Sequence, residues 1–511
     1  MKENRIEIDG SSLTIEKTVQ IARFKTQVFF SENTKKRVDD NWNALQEMLD
    51  RGDTLYGVNT GIGAFGNVKI SREEGAELSK RMVRAHAAGW GNPLPEDEAR
   101  ACLLLRANVL AKGCSGIRSG TLQLFADLLN KNVVPVIYEK GSVGTSGDLA
   151  PLAQMALVLI GEGEAFYNGI RMPTVDALKK AGLIPIELKE REGLALFNGA
   201  QTMTAIGSLA VYDAEQLLKT AQVAASLTID SLNAVTLAFD ARLHALRPFE
   251  GQIAVAENIR NLIANSEVLK KPKVDTQSAY SLRCVPQVLG ASRDAIDYAR
   301  KQITIEMNSV ADNPIFLTDE KTYLAGGNFH GQPIAYAMDL LGIAVAEIGD
   351  MAERRINRLL NPALNAGLPA FLIAKGSEGL NSGLMITQYT AAALVSENKI
   401  LASPASVDSI PCSADQEDHV SMGTIAARKA RDIIRNVEAV VAIELLCASQ
   451  AYEFQKPAKL GKGTNAAYNA VRKVCAKVDD DRAFYKDIEL LANAVRQLKI
   501  INEVEQEVKL K

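Results

Sequence analysis

The sequence predicts a mainly all-α protein, a long central helical bundle with a smaller, mixed N-terminal lobe. Three observations point there. Four stretches, at residues 201–235, 294–310, 333–360 and 420–454, each exceed the ~11–12 residues of an average helix. Several are apolar on more than one face, which suits helices buried centrally or between subunits. Their punctuation is helical: Pro333 opens one, Pro362 follows its end, and the acidic Gln416-Glu417-Asp418 precedes another.

Taken in order, residues 1–115 form the mixed lobe, with short helices and a glycine-rich loop around Tyr56. Residues 116–511 form the bundle and its C-terminal surface helices. A β-branched run at 133–137 reads as a short strand, and the apolar run 149–160 reads as a buried helix too short to span a bilayer. The tail, 457–511, reads as amphipathic, charged surface helices. No internal repeat or low-complexity linker interrupts the chain.

Composition excludes several classes. Of 511 residues, 47% are hydrophobic and 23% charged, as in ordinary soluble proteins. A net charge of -3 gives no pull toward nucleic acid or an anionic membrane. The first residues, MKENRIEIDGSS, lack an apolar signal core. Six cysteines without CxxC spacing read as reduced thiols of a cytoplasmic protein. Four histidines without clustered ligands give no support to a metal site.

Residues 141–152, GSVGTSGDLAPL, hold the most chemistry. A helix start would use Ser146 or Asp148 as cap and Pro151 in the first turn, but does not explain three glycines so close together. A phosphate cradle would use the GxxGxxG spacing, yet no lysine follows and a helical bundle is the wrong host. The third reading is covalent. The Gly147 nitrogen attacks the Thr145 carbonyl in a turn that only a residue without Cβ permits. Loss of two waters then leaves a methylidene-imidazolone, an electrophile needing no external cofactor, in which Thr145 contributes only backbone.

Nine separated motifs carry a resemblance over about residues 56–427: YGVNTGIGAFG (56–66), RAHAAG (84–89), GTSGDLAPLA (144–153), GLALFNGAQ (193–201), YSLRCVPQ (280–287), EMNSVADNP (306–314), GGNFHGQP (326–333), NSGLMITQ (381–388) and QEDHVSMG (416–423). Together they resemble the aromatic amino-acid ammonia-lyase and aminomutase family, closest to its histidine ammonia-lyases. The resemblance implies an aspartase/fumarase-like helical fold and a homotetramer whose sites are completed by neighbouring subunits. It implies removal of ammonia from an amino acid, with the methylidene-imidazolone capturing the amine and Asp148 assisting ring closure.

Tyr56 is then the candidate base for the β-proton; a free phenol titrates near ~10, so it needs positive potential nearby, such as helix N-termini. Arg283 is the candidate carboxylate clamp, because a guanidinium grips a carboxylate with two prongs. Asn198 assists the amine or carboxylate, with Gln201 on the same helical face. Tyr280 stabilises or protonates intermediates, Phe329 packs beside the ring, and Asn313 and Asn328 support it. His86, Met385 and Glu417 match the histidine-lyase pattern at the side-chain end of the pocket, where His86 and Glu417 suit an imidazole. Thr145 stands where the family usually has Ala. Further departures are Ser278-Ala279, Gln332, Phe197 and Phe249. Tyrosine or phenylalanine lyases, a 2,3-aminomutase, and an inactive helical scaffold remain as alternatives.

Overall fold

A computed structural model describes residues 5–271, 276–374 and 376–511. Nineteen α-helices dominate them, and the sheets have two or three short strands each. The fold is mainly α, as the sequence predicts. No helix among the described residues is long and apolar enough to cross a membrane.

The long helices are Gln201–Ser231, Val285–Met307, Gln332–Leu360 and Gly423–Glu453. Several boundaries differ from expectation, among them the ends at Ser231 rather than 235 and Met307 rather than 310, and two of the starts differ for identifiable reasons. The second helix begins nine residues before residue 294. Pro286 is tolerated in its first turn, and Gly290 marks a close approach: a Cβ there would lie 2.4 Å from the Gln252 nitrogen. The last begins after residue 420 because the Ser421 and Met422 amides donate to the Val143 carbonyl instead.

The chain divides into two compact units. The first comprises Met1–Tyr212, Ala299–Asp339 and Pro404–Arg428. Its Glu96–Leu110 helix is buried at every position from Glu98 to Leu110. Arg100 there is satisfied by the carbonyls of Ile21, Ala22 and Leu129, since a buried guanidinium must find acceptors. Leu149–Leu159 is a buried helix, and Val133–Pro135 pairs with Glu164–Tyr167. Not every helix in the first hundred residues is short. Glu32–Asp50 runs 19 residues, capped by Ser31 and burying Val38, Leu45 and Met48 at helical spacing.

The second unit comprises Asp213–Tyr298, Leu340–Ser403 and Lys429–Lys511. Inside it Arg355 pairs with Glu444 at 2.6 Å, both fully buried, and Thr228 donates to the same carboxylate. The tail helices Lys462–Val474 and Lys499–Glu507 are amphipathic, packing Ala467, Ile501 and Val504 against Val223 and Leu262.

Candidate active site

Segment 143–148 of the first unit is held from three directions, each by residues that begin a long helix. The Gly331 amide donates to the Gly144 carbonyl (3.1 Å), just before Gln332–Leu360. The Ser421 and Met422 amides take the Val143 carbonyl, just before Gly423–Glu453. The Asp148 amide donates to the Gly199 carbonyl (2.7 Å), just before Gln201–Ser231. The Leu149–Leu159 helix starts from the segment itself. Four helix N-termini thus meet here, and their partial positive charges add.

Asp148 occupies the N-cap position but does not cap its own helix. Its fully buried carboxylate accepts from Ser142 Oγ (2.7 Å), Thr424 Oγ1 and the Met203 amide (2.8 Å). Burial pushes its pKa up, against these donors, which pull it down. The Thr145 hydroxyl, the departure from Ala, donates to the His419 carbonyl at 3.1 Å.

Ser146 takes a left-handed φ of 53°, uncommon for a residue with a Cβ, and Gly147 follows at 76°. A Cβ on Gly147 would stand 2.0 Å from the Gly199 oxygen, so only glycine fits. Asn198 Nδ2 donates to the Ser146 carbonyl (3.3 Å), while its buried Oδ1 has no partner. Ser146 Oγ donates to Glu417 Oε1 at 2.7 Å. A left-handed turn, a glycine cradle and an orphaned amide oxygen beside it fit the residues to a methylidene-imidazolone.

Ser146 and Thr145 face a cavity of about 860 Å³, also lined by Tyr56, His86, Phe197, Asn198, Asn313, Phe329 and Glu417. Tyr56 is half-buried, and its Oη accepts from the Gly63 amide at 2.9 Å. His86 ends the Gly75–His86 helix, with Nδ1 2.8 Å from the Met82 carbonyl, and stacks on Phe197. Asn313 Oδ1 accepts from the Gly326 amide at 2.9 Å, shaping the 325–330 wall.

Other expectations are not met. Asn198 and Gln201 do not share a helix: Asn198 follows Glu192–Phe197, whereas Gln201 opens the next helix and its Oε1 accepts from Arg106 at 2.9 Å. Exposed Asn328 reaches the Val310 carbonyl at 3.5 Å and does not line the cavity. Tyr280, Arg283 and Met385 belong to the second unit and are not among the lining residues. Tyr280 is 69% exposed, the Arg283 guanidinium carbon lies 4.6 Å from its ring centre, and Arg283 Nε is buried without a partner.

Two features went unread in the sequence. Arg106 and Arg191 converge on Asp312, all fully buried, and Arg106 also donates to the Asn198 carbonyl at 2.6 Å. Burial pulls the Arg106 pKa down to about 10. Asp312 sits inside EMNSVADNP, where it was readable as a buried partner for arginine. Besides His86, His330 and His419 line the cavity, stacked 5.8 Å apart. That three of four histidines fall in the motifs was the signal.

Residues 13–473 match the family described as aromatic amino acid lyase. A histidine ammonia-lyase of Alkaliphilus oremlandii is 52% identical over 507 residues, covering 99% of each chain. The crystal structure of histidine ammonia-lyase from Trypanosoma cruzi matches with a TM-score of 0.92 at 38% identity, covering 99% of this chain and 96% of that one. The crystal structure of tyrosine aminomutase from Streptomyces globisporus matches with a TM-score of 0.95 at 38% identity, covering 99% and 100%.

Proposed function

The chain belongs to the aromatic amino acid lyase family and is a carbon–nitrogen lyase, and from that premise we propose that it removes ammonia from L-histidine to give urocanate. The observation that carries this reading is the state of His86. Its Nδ1 faces a carbonyl, which only accepts, so Nδ1 carries the proton and Nε2 is left as an acceptor. Glu417 on the same cavity is a second acceptor. The two N–H groups of a protonated imidazole side chain satisfy them; a phenyl ring leaves both unpaired, which costs binding.

Thr145, Ser146 and Gly147 are assigned as the source of a methylidene-imidazolone, which when formed captures the substrate amine and makes it a leaving group. Tyr56 takes the β-proton, its oxygen steadied by the Gly63 N–H. Asn198, with its free Oδ1, orients the amine end. Phe329 packs beside the ring, and Asn313 and Asn328 tie the wall that carries it. Asp148 assists ring closure. Gln201 acts through Arg106, which holds the Asn198 carbonyl.

Arg283 is assigned as the substrate's carboxylate clamp, supported by its unpartnered Nε, with Tyr280 stacked on it as a proton-handling group and Met385 at the side-chain end. These three lie outside the cavity lining, so the reading requires neighbouring subunits of a homotetramer to supply them. The six free cysteines suit a cytoplasmic enzyme.

The test is turnover of histidine, tyrosine and phenylalanine by purified protein, following the ultraviolet absorbance of the unsaturated acid. Histidine turned over more slowly than tyrosine or phenylalanine would sink the substrate assignment. A β-amino acid as product would make it an aminomutase, the second reading, which the 0.95 TM-score to tyrosine aminomutase keeps in view.

A further inference from the structure

Ser146 must lose its hydroxyl, and hydroxide is a poor leaving group, so a proton has to reach Oγ as the Cβ–Oγ bond breaks. Asp148 within segment 143–148 and Glu417 beside it are the carboxyl groups whose hydrogen bonds bear on Ser146. Asp148 is committed: its oxygens accept from Ser142, Thr424 and Met203, and no hydrogen bond joins it to Ser146. Glu417 stands 2.7 Å from Ser146 Oγ. Its backbone is pinned on both sides, with the Cys412 amide donating to the Glu417 carbonyl (2.9 Å) and the Glu417 amide to the Cys412 carbonyl (3.2 Å). Between them Ser413, Ala414 and Asp415 turn through three successive left-handed residues. The carboxyl is therefore presented on a closed hairpin rather than on a free loop.

We propose that Glu417 builds the electrophile before it binds substrate: its carboxyl is the general acid that expels the Ser146 hydroxyl as water. This rests on the assignment of the methylidene-imidazolone above. The step reverses the resting hydrogen bond, in which Ser146 Oγ donates: a Glu417 carboxyl that has taken up a proton gives it to Oγ while the Cβ–Oγ bond breaks. The Ser146 Cα–H bond supplies the electron pair for the new Cα=Cβ bond. The Cα proton leaves to solvent and, through it, restores the proton that Glu417 gave up. The net change is one water lost, with no oxidant or reductant. Asp148 is left to the other dehydration, in which Gly147 N bonds to the Thr145 carbonyl carbon and that carbonyl's oxygen departs as water. Departure of Oγ also vacates Glu417 Oε1, so the same oxygen that expels the hydroxyl becomes available to an incoming N–H.

The test is the intact mass of denatured protein, taken at intervals after synthesis, for the wild type, Glu417→Gln and Glu417→Ala, with circular dichroism to confirm folding. Wild type should settle two waters light. Both variants should accumulate chains only one water light, closed but still carrying the serine hydroxyl, with the second loss slowed by about 10²-fold. The near-isosteric glutamine variant decides the matter if the alanine variant misfolds. Two waters lost at the wild-type rate in Glu417→Gln would overturn the proposal, as would loss of no water at all, which would put Glu417 in the first closure. An unmodified wild type would instead sink the electrophile assignment itself.

Discussion

The rings of His86 and Phe197 stack with centroids 4.7 Å apart and planes 25° from parallel. With the Met82 carbonyl on Nδ1, this leaves the His86 imidazole one orientation. Phe197→Leu removes the stacking face. The expected result is a several-fold rise in KM for histidine, kcat little changed, and a stability loss of about 1 kcal/mol, read by steady-state kinetics and thermal melting. His86→Leu should go further, losing histidine turnover by about 10²-fold or more and gaining phenylalanine turnover. Unchanged histidine kinetics in the leucine variant would remove His86 from the substrate pocket.

Ser146→Ala should keep the fold, because the segment is fastened by backbone bonds to Gly199, Gly331 and Ser421 rather than by the serine hydroxyl. Its mass should not reach the wild type's two-water deficit, and turnover should vanish. A collapsed melting transition would instead mark the hydroxyl's bond to Glu417 as structural.

Tyr56→Phe deletes only Oη and its bond from the Gly63 amide. We expect kcat to fall by about 10²–10⁴-fold with KM within a few-fold. Wild-type kcat would show that another group takes the proton.

Partly buried Glu306 provides a pH signature: burial, then the nearby Asp148 charge, raises its pKa to about 7. The folded state therefore prefers the neutral acid. Stability from this group is fully present below the unfolded value of about 4.5 and is lost as pH rises through about 7. Glu306→Gln should flatten the pH dependence across that window and raise stability at pH 8 by up to about 3 kcal/mol. Chemical denaturation at pH 5 and pH 8 measures it; parallel curves for the two proteins would show that the carboxyl is not neutral when folded.

The helices were legible because their signal is local: runs such as Gln332–Leu360 carry their period and proline punctuation in sequence. Tyr56, His86, Ser146 and Glu417 stood out through motifs, and all four line one cavity. What failed was whatever depends on distant partners. Asn198 and Gln201 were given one helical face because they stand three positions apart, yet a helix boundary falls between them. Asp148 looked like a cap, but Thr424 is 276 positions away and no periodicity announces it. Arg106 and Arg191 meet Asp312 only once three separate chain segments pack.

Gly147 and Gly199 press backbone against backbone, and neither has room to adjust. A methyl on Gly199 would lie 2.3 Å from Gln201 Oε1, 2.4 Å from the Ala311 oxygen and 2.6 Å from Arg106 Nη1. The Ala311 oxygen and, against Gly147, the Gly199 oxygen are backbone atoms, so trimming Gln201 or Arg106 would still leave no room. A side chain at either position would therefore have to displace the main chain that presents Ser146, not merely a neighbouring side chain.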